Sequence, residues 1–267
     1  METPRSVRRA LGRVVASRRA FYGVSAIVFA ASAALTIASC ASMAAMGEME
    51  MPGGWALSMV WMRMPGQSWS GAAASFVGMW TVMMVAMMLP SLTPVLWLYR
   101  QAIGVAGATR PGWLTTLAGV AYFFIWAVVG AIVFPLGVAL AAILMREPAL
   151  ARAFPTNVGA AVLVAGILQR TTWKARHLAL CREAPGTTPG AEPGAAWRYG
   201  LCLGLHCVRS CASLTAVVLA LGVMDVRVMT AVGAAITAER LARNGERVAR
   251  VIGAIAVGVG AVVMLLA

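Results

Sequence analysis

Histidine and acidic residues are scarce in this sequence, and several motifs of redox and nucleotide chemistry are missing. The 267 residues include 2 His and 9 Asp or Glu, against 22 Lys or Arg. Two histidines are too few to give paired axial ligands to each of two haems, and no Cys-x-x-Cys motif indicates a thiol oxidoreductase. No glycine-rich nucleotide-binding motif indicates a primary pump. Enzymatic activity is therefore the less favoured class, although a thiol-dependent or metal-dependent membrane oxidoreductase stays open as an alternative.

Apolar residues, in contrast, are in excess. They make up 61% of the chain, against roughly 45–50% in soluble domains, and the mean hydropathy is +0.82. This composition predicts an all-α fold, a polytopic bundle of transmembrane helices in the lipid bilayer. The net charge of +13 does not indicate nucleic acid as a partner, because the basic residues fall between the apolar segments, where they orient a membrane protein.

The apolar segments predict seven membrane spans, with six as the alternative. The spans are expected at residues 21–46, 72–98, 113–145, 157–169, 197–224, 226–238 and 248–266. Residues 21–267 then form a single transmembrane domain that follows a basic segment at 1–20. Two loops are longer than the others, one rich in Met and Trp at 47–71 and one with the composition of a flexible linker at 182–197.

Lysine and arginine are distributed unevenly about these spans. Most of them lie on the segments that share a side of the membrane with the N-terminus, and by the positive-inside rule that side is the cytoplasm. We therefore expect a protein of the bacterial cytoplasmic (inner) membrane, with the loop at 182–197 inside, the loop at 47–71 outside and, for seven spans, an outer C-terminus. Within the spans, Pro90, Pro94 and Pro135 predict kinks or helix breaks.

Cysteine is the residue type that indicates chemistry. The chain has 5 cysteines, and their odd number and close grouping are unlike the disulfide framework of a secreted protein. Cys207 and Cys211 are four residues apart, so a helix places both on one face, with Arg209 between them and His206 alongside as a further candidate ligand. Two other cysteines are expected to serve only in packing, Cys40 and Cys202.

A second pair of possible ligands lies on the preceding helix. His177 and Cys181 are also four residues apart, near the cytoplasmic end predicted for the fourth span. Because a flexible loop joins this helix to the fifth span, the two pairs can meet at one depth. His177, Cys181, Cys207 and Cys211 would then supply thiolates and an imidazole to a tetrahedral Zn(II) site or to a Cu(I) site of lower coordination number.

Methionine is concentrated in two places. The second span holds several at helical spacing, and the candidate ligands among them are Met83, Met87 and Met88. Soft thioethers favour Cu(I), whereas methionine is also a common packing residue in helix bundles. The loop at 47–71 is rich in both Met and Trp, which favours an interfacial segment and leaves a copper-docking segment as the alternative.

Two acidic residues fall next to the ends of predicted spans. Asp225 is expected to cap the helix that follows it. Glu239 is expected to form an interfacial ion pair with its neighbour Arg240.

Three motifs resemble those of a bacterial family known as predicted metal-binding integral membrane proteins. The first consists of Met79-Trp80, Met83 and Ala86-Met87-Met88-Leu89-Pro90. The second consists of Gln169, Lys174, Cys181-Arg182 and Pro185, with His177 in place of that family's first cysteine. The third consists of Gly200, Gly204, Cys207 and Cys211, followed by Leu214 and Gly222-Val223-Met224.

The third motif departs from the family pattern, because its adjacent cysteines are reduced to Ser210-Cys211 and Arg209 replaces a glycine. Glu239 matches an acidic position that follows. The resemblance implies a multi-spanning membrane metal protein.

These observations favour a copper-handling membrane protein, which either delivers Cu(I) to a metal-receiving metalloprotein or transports Cu(I) across the bilayer. Zinc is the alternative metal. The alternative function is a membrane scaffold or assembly subunit whose cysteines only pack, beside the oxidoreductase considered above. Sequence patterns do not indicate an oligomeric state.

Overall fold

The computed structural model describes residues 4–45, 47, 49–52, 54–63, 66–182 and 190–266, with side chains from residue 15 onwards except that of residue 182. The described residues form eight α-helices and one short β-hairpin. The helices are α1 (Pro4–Ala45), α2 (Trp69–Val105), α3 (Pro111–Arg146), α4 (Pro148–Leu168), α5 (Thr172–Arg182), α6 (Pro193–Leu221), α7 (Val226–Leu241) and α8 (Gly245–Leu266). The all-α prediction is confirmed.

Six of the described helices are long and apolar enough to cross a membrane, namely α1, α2, α3, α4, α6 and α8. The predicted sixth span corresponds to α7, which has only 16 residues and at about 1.5 Å per residue is shorter than a hydrocarbon core of about 30 Å. By length and composition the described helices thus give six candidate spans, and α7 is a seventh helix that is shorter than the others predicted to span.

The prolines do not end the helices. α2 continues through Pro90 and Pro94, and α3 continues through Pro135. Hydroxyls of the same stretch satisfy nearby carbonyls: Ser91 donates to Met88 O at 3.0 Å and Thr93 donates to Leu89 O at 2.7 Å.

Instead, the helix break falls between α4 and α5. Gln169 lies beside Ser213 of α6, Lys174 beside Ser210 and His177 beside His206. Since these α6 positions follow one another down the helix, α5 continues in the direction of α4 after a short interruption. The predicted start of this span at residue 157 was too late, because α4 begins at Pro148.

Glycines allow the closest helix contacts. A Cβ on Gly166 of α4 would lie 2.7 Å from Val257 N and 2.8 Å from Gly253 O of α8. Towards the other end of α4, Gly159 lies against Gly260, so the two helices run antiparallel. Gly200 and Gly204 of α6 pack in the same way against the α3 backbone. Small residues therefore allow close backbone packing at both α6 and the last helix.

The two long loops differ from their predicted form. The segment at 47–71 contains strands β1 (Met49–Met51) and β2 (Trp55–Leu57) and a 3-10 helix at Met59–Trp61. Trp55 Nε1 donates to Ala151 O at 2.8 Å, which attaches the hairpin to α4. Residues 183–189 of the loop at 182–197 lie outside the described residues, and the last part of the loop is helical because α6 begins at Pro193.

Candidate metal centre

A cluster of three sulfur atoms lies between α2 and α6. Cys207 Sγ is 3.9 Å from Cys211 Sγ and 3.9 Å from Met88 Sδ. These three residues, which we call the sulfur cluster, are buried to 1% exposure or less. Metal–thiolate bonds of about 2.3 Å separate two ligand sulfurs by about 4 Å around a trigonal ion. Both sulfur–sulfur distances match that spacing.

Tyr122 on α3 borders the sulfur cluster. Its hydroxyl donates to Cys207 Sγ at 2.7 Å, and both side chains are buried. The helices approach closely here because Gly204 has no side chain: a Cβ at that position would lie 3.0 Å from Tyr122 O. Hydrogen bonds of this kind orient ligating side chains, so Tyr122 is placed to orient the Cys207 sulfur.

A buried charge network adjoins the cluster. Lys174 Nζ lies 2.7 Å from Glu239 Oε2 and donates to Ser210 O, next to Cys211, at 2.6 Å. Gln169 donates to the other oxygen of Glu239 and accepts from Ser213 at 2.7 Å. The network is placed here by the break after α4 and by the last turn of α7. Every charged group in it therefore has a partner, as buried charges require.

Arg240 is the second cation at this depth. It is 6% exposed, and its Nη1 donates to Ser91 Oγ at 3.3 Å. Its Nε and Nη2 have no hydrogen-bond partner within the described part of the chain. The guanidinium interacts electrostatically with Cys181, Cys207 and Cys211. A positive charge without a paired carboxylate thus lies beside the thiols.

The predicted interfacial ion pair of Glu239 with Arg240 is wrong. Both side chains are buried, and Glu239 pairs with Lys174. Consecutive helical residues point in different directions, so Glu239 faces α5 while Arg240 faces α2. Asp225, in contrast, caps α7 as predicted, accepting from Arg227 N at 2.7 Å and Val228 N at 3.2 Å.

The four predicted ligands on two helices do not assemble into one group. Across the described ranges, no three His, Cys, Asp or Glu side chains come close enough together to hold an ion. The His177 ring packs on Trp173, and its centroid is 6.4 Å from that of His206. Cys181 is buried near Arg240, and burial raises the pKa of its thiol to about 11 although the charge of Arg240 counteracts this. Metal binding by these residues stays a prediction.

The two other methionine candidates lie on a different surface of α2. Met83 and Met87 line a cavity of about 540 Å³ between α1, α2 and α7, together with Met229. Met88, one residue further on, turns towards Cys207. The candidate methionines of α2 therefore divide into one that belongs to the sulfur cluster and two that line an apolar cavity. The two cysteines predicted to serve only in packing differ in exposure, since Cys40 is buried and Cys202 is exposed.

Sequence patterns missed three residues of the centre. Arg209, the expected cation beside the thiols, is exposed, and Arg240 occupies that role. Tyr122 carried no sequence signal, because a single tyrosine in an apolar helix is common. Lys174 belongs to the second motif, but a sequence alone does not show that this lysine is buried.

Comparisons with known proteins identify one family. A family model, PpoB2, described as a copper chaperone, matches residues 77–263. This range includes every residue of the sulfur cluster and of the charge network. No curated protein and no solved structure matches the chain.

Proposed function

Because the chain belongs to the copper chaperone family PpoB2, we propose that it carries Cu(I) as cargo on Cys207, Cys211 and Met88 inside the membrane and delivers it to a copper-requiring protein. The observation that carries this proposal is the pair of 3.9 Å sulfur–sulfur distances in a fully buried cluster. Two thiolates and a thioether are soft ligands, and soft ligands select Cu(I).

The ligand count supports copper over zinc. A structural Zn(II) site takes four ligands from Cys, His, Asp or Glu, and no group of even three gathers among the described residues. Cu(I) is held by fewer ligands. A three-coordinate ion also leaves a direction from which a ligand of the receiving protein can attack, and a chaperone needs such a direction for release.

The remaining parts of the proposal follow from the distribution of charge and methionine. The N-terminal basic segment supports a cytoplasmic N-terminus in a bacterial inner membrane, and the hairpin segment would then lie on the outer side. Met49, Met59 and Met62 are half-buried there, while Met64 lies outside the described residues. These thioethers offer a contact for a metal-receiving protein on that side.

The sulfur cluster is tested by replacing both cysteines. We expect the wild-type protein, purified anaerobically in detergent, to hold about one copper per chain, and the Cys207→Ser/Cys211→Ser variant to hold less than a tenth of that. Exposed Cys202 gives the matched control, because Cys202→Ser removes a thiol from the same helix without touching the cluster. Copper retained at the wild-type level by the double variant would place the site elsewhere.

The thioether is tested separately. Met88→Leu preserves volume, so the fold should tolerate it, but it removes the third sulfur. We expect Cu(I) affinity to fall about tenfold, equivalent to ~1.4 kcal/mol, in a competition titration with a Cu(I) chelator. Met84→Leu is the control, since Met84 is equally buried on the same helix. Equal affinities in the two variants would remove Met88 from the ligand set.

A further inference from the structure

The buried charges around the sulfur cluster do not cancel. In the part of the chain that the structure describes, the buried charged residues are Lys174, Glu239 and Arg240. Lys174 and Glu239 neutralise each other at 2.7 Å. Arg240 is left without a carboxylate: its guanidinium donates to the neutral Ser91 Oγ and lies against the Cys181 thiol. One uncompensated positive charge is therefore held inside the bundle.

A buried charge without a counter-ion is unfavourable, so the protein gains from any ligand that supplies the missing negative charge. Metal complexes of the two cysteines differ in this respect. Two thiolates with a monovalent ion carry one net negative charge, whereas two thiolates with a divalent ion are neutral. Only the monovalent complex compensates Arg240.

We propose that Arg240 determines the charge selectivity of the site, favouring a monovalent ion on Cys207 and Cys211 over a divalent ion on the same two thiolates. This inference rests on the proposed function. Arg240 does not ligate the metal. It is a specificity-determining residue that acts through its charge, while Lys174 and Glu239 together contribute none.

A comparison of two thiophilic ions distinguishes the effect of the charge of the metal complex from the preference for thiolate ligands. Cu(I) and Hg(II) both bind two thiolates, and their complexes differ by one unit of charge. Affinities for the two ions are measured by competition in detergent under anaerobic conditions. For Arg240→Met we expect the ratio of Cu(I) to Hg(II) affinity to fall roughly 100-fold, mainly through loss of Cu(I) affinity, as one unit charge at close range in a protein interior implies. Arg240→Lys should keep the ratio within a few-fold of the wild type.

The chain offers a matched control and a charge-restoring variant. Arg243→Met removes an exposed arginine three residues away and should leave the ratio unchanged. Glu239→Gln/Arg240→Met leaves Lys174 as the one unpaired cation, so it should restore the wild-type preference for Cu(I). Glu239→Gln alone adds a second unpaired cation and should raise the preference, which provides a test even if Arg240→Met does not fold.

The outcomes separate this inference from the proposed function. A wild-type protein that binds Cu(I), combined with an Arg240→Met ratio within threefold of the wild type, would overturn the role of Arg240 and leave copper carriage intact. An Arg240→Met defect that the double variant does not restore would equally overturn a role through charge. A wild-type protein with no affinity for Cu(I) would instead refute the proposed function itself.

Discussion

Replacing Lys174 by methionine will lower the free energy of unfolding by about 3–5 kcal/mol, because removal of one partner leaves Glu239 as an unpaired buried charge. The two groups are 2.7 Å apart at 2% and 1% exposure, and Lys174 also donates to Ser210 O. The loss therefore includes a charge-assisted hydrogen bond to α6 as well as the ion pair. Unfolding in detergent, followed by circular dichroism across a denaturant series, measures the change.

An exposed ion pair of the same protein provides the control for Lys174. Glu246 and Arg250 are 3.5 Å apart on α8 at more than half exposure, and exposed pairs of this type contribute about 0–1 kcal/mol. Glu246→Gln should thus have little effect. Lys174→Met/Glu239→Gln should recover much of the stability lost in Lys174→Met, since no isolated carboxylate remains. A Lys174→Met variant as stable as Glu246→Gln would show that the network does not stabilise the fold.

Replacing Gly166 by valine will destabilise the contact between α4 and α8 by about 3 kcal/mol, at the upper end of the overpacking range. A Cβ at this position would lie 2.7 Å from Val257 N and 2.8 Å from Gly253 O. These neighbours are backbone atoms of α8, so no side-chain rotation can make room, and the helices must separate.

Gly258 on α8 is the matched control for Gly166. An added Cβ there meets nothing within 4 Å, and the better helix propensity of alanine should leave Gly258→Ala neutral or slightly stabilising. Thermal unfolding in detergent compares the two variants. Equal midpoints would mean that α4 and α8 do not depend on close backbone contact.

Much of the helical architecture follows from the sequence, because apolar length alone identifies helices that can cross a bilayer. Pro90, Pro94 and Pro135 were predicted to kink or break their helices, and none of them ends its helix, because a helix within a bundle can tolerate proline. The break after Gln169 was not predicted. It depends on Gln169 and Lys174 finding partners on α6 and α7.

The candidate site was predictable where its residues share one helix and not where they meet across helices. The spacing of Cys207 and Cys211 fixes their common face, and the methionines singled out on α2 included Met88, which lies beside Cys207. The roles of Lys174, Glu239 and Arg240 depend on where α5 and α7 end against α6, which is set by long-range packing. Sequence neighbours suggested pairing Glu239 with Arg240, whereas the helical rotation between adjacent residues directs them to different helices.

If the sulfur cluster carries copper as proposed, its complete burial limits the timing of copper transfer. Cys207, Cys211 and Met88 have at most 1% of their surface exposed, so neither a donor nor an acceptor could reach a bound ion while the helices are closed. Ligand exchange then has to wait for a transient separation of the helices, and large helix movements take microseconds to milliseconds or longer. The rate at which copper enters and leaves would be set by this opening rather than by the strength of the copper–sulfur bonds.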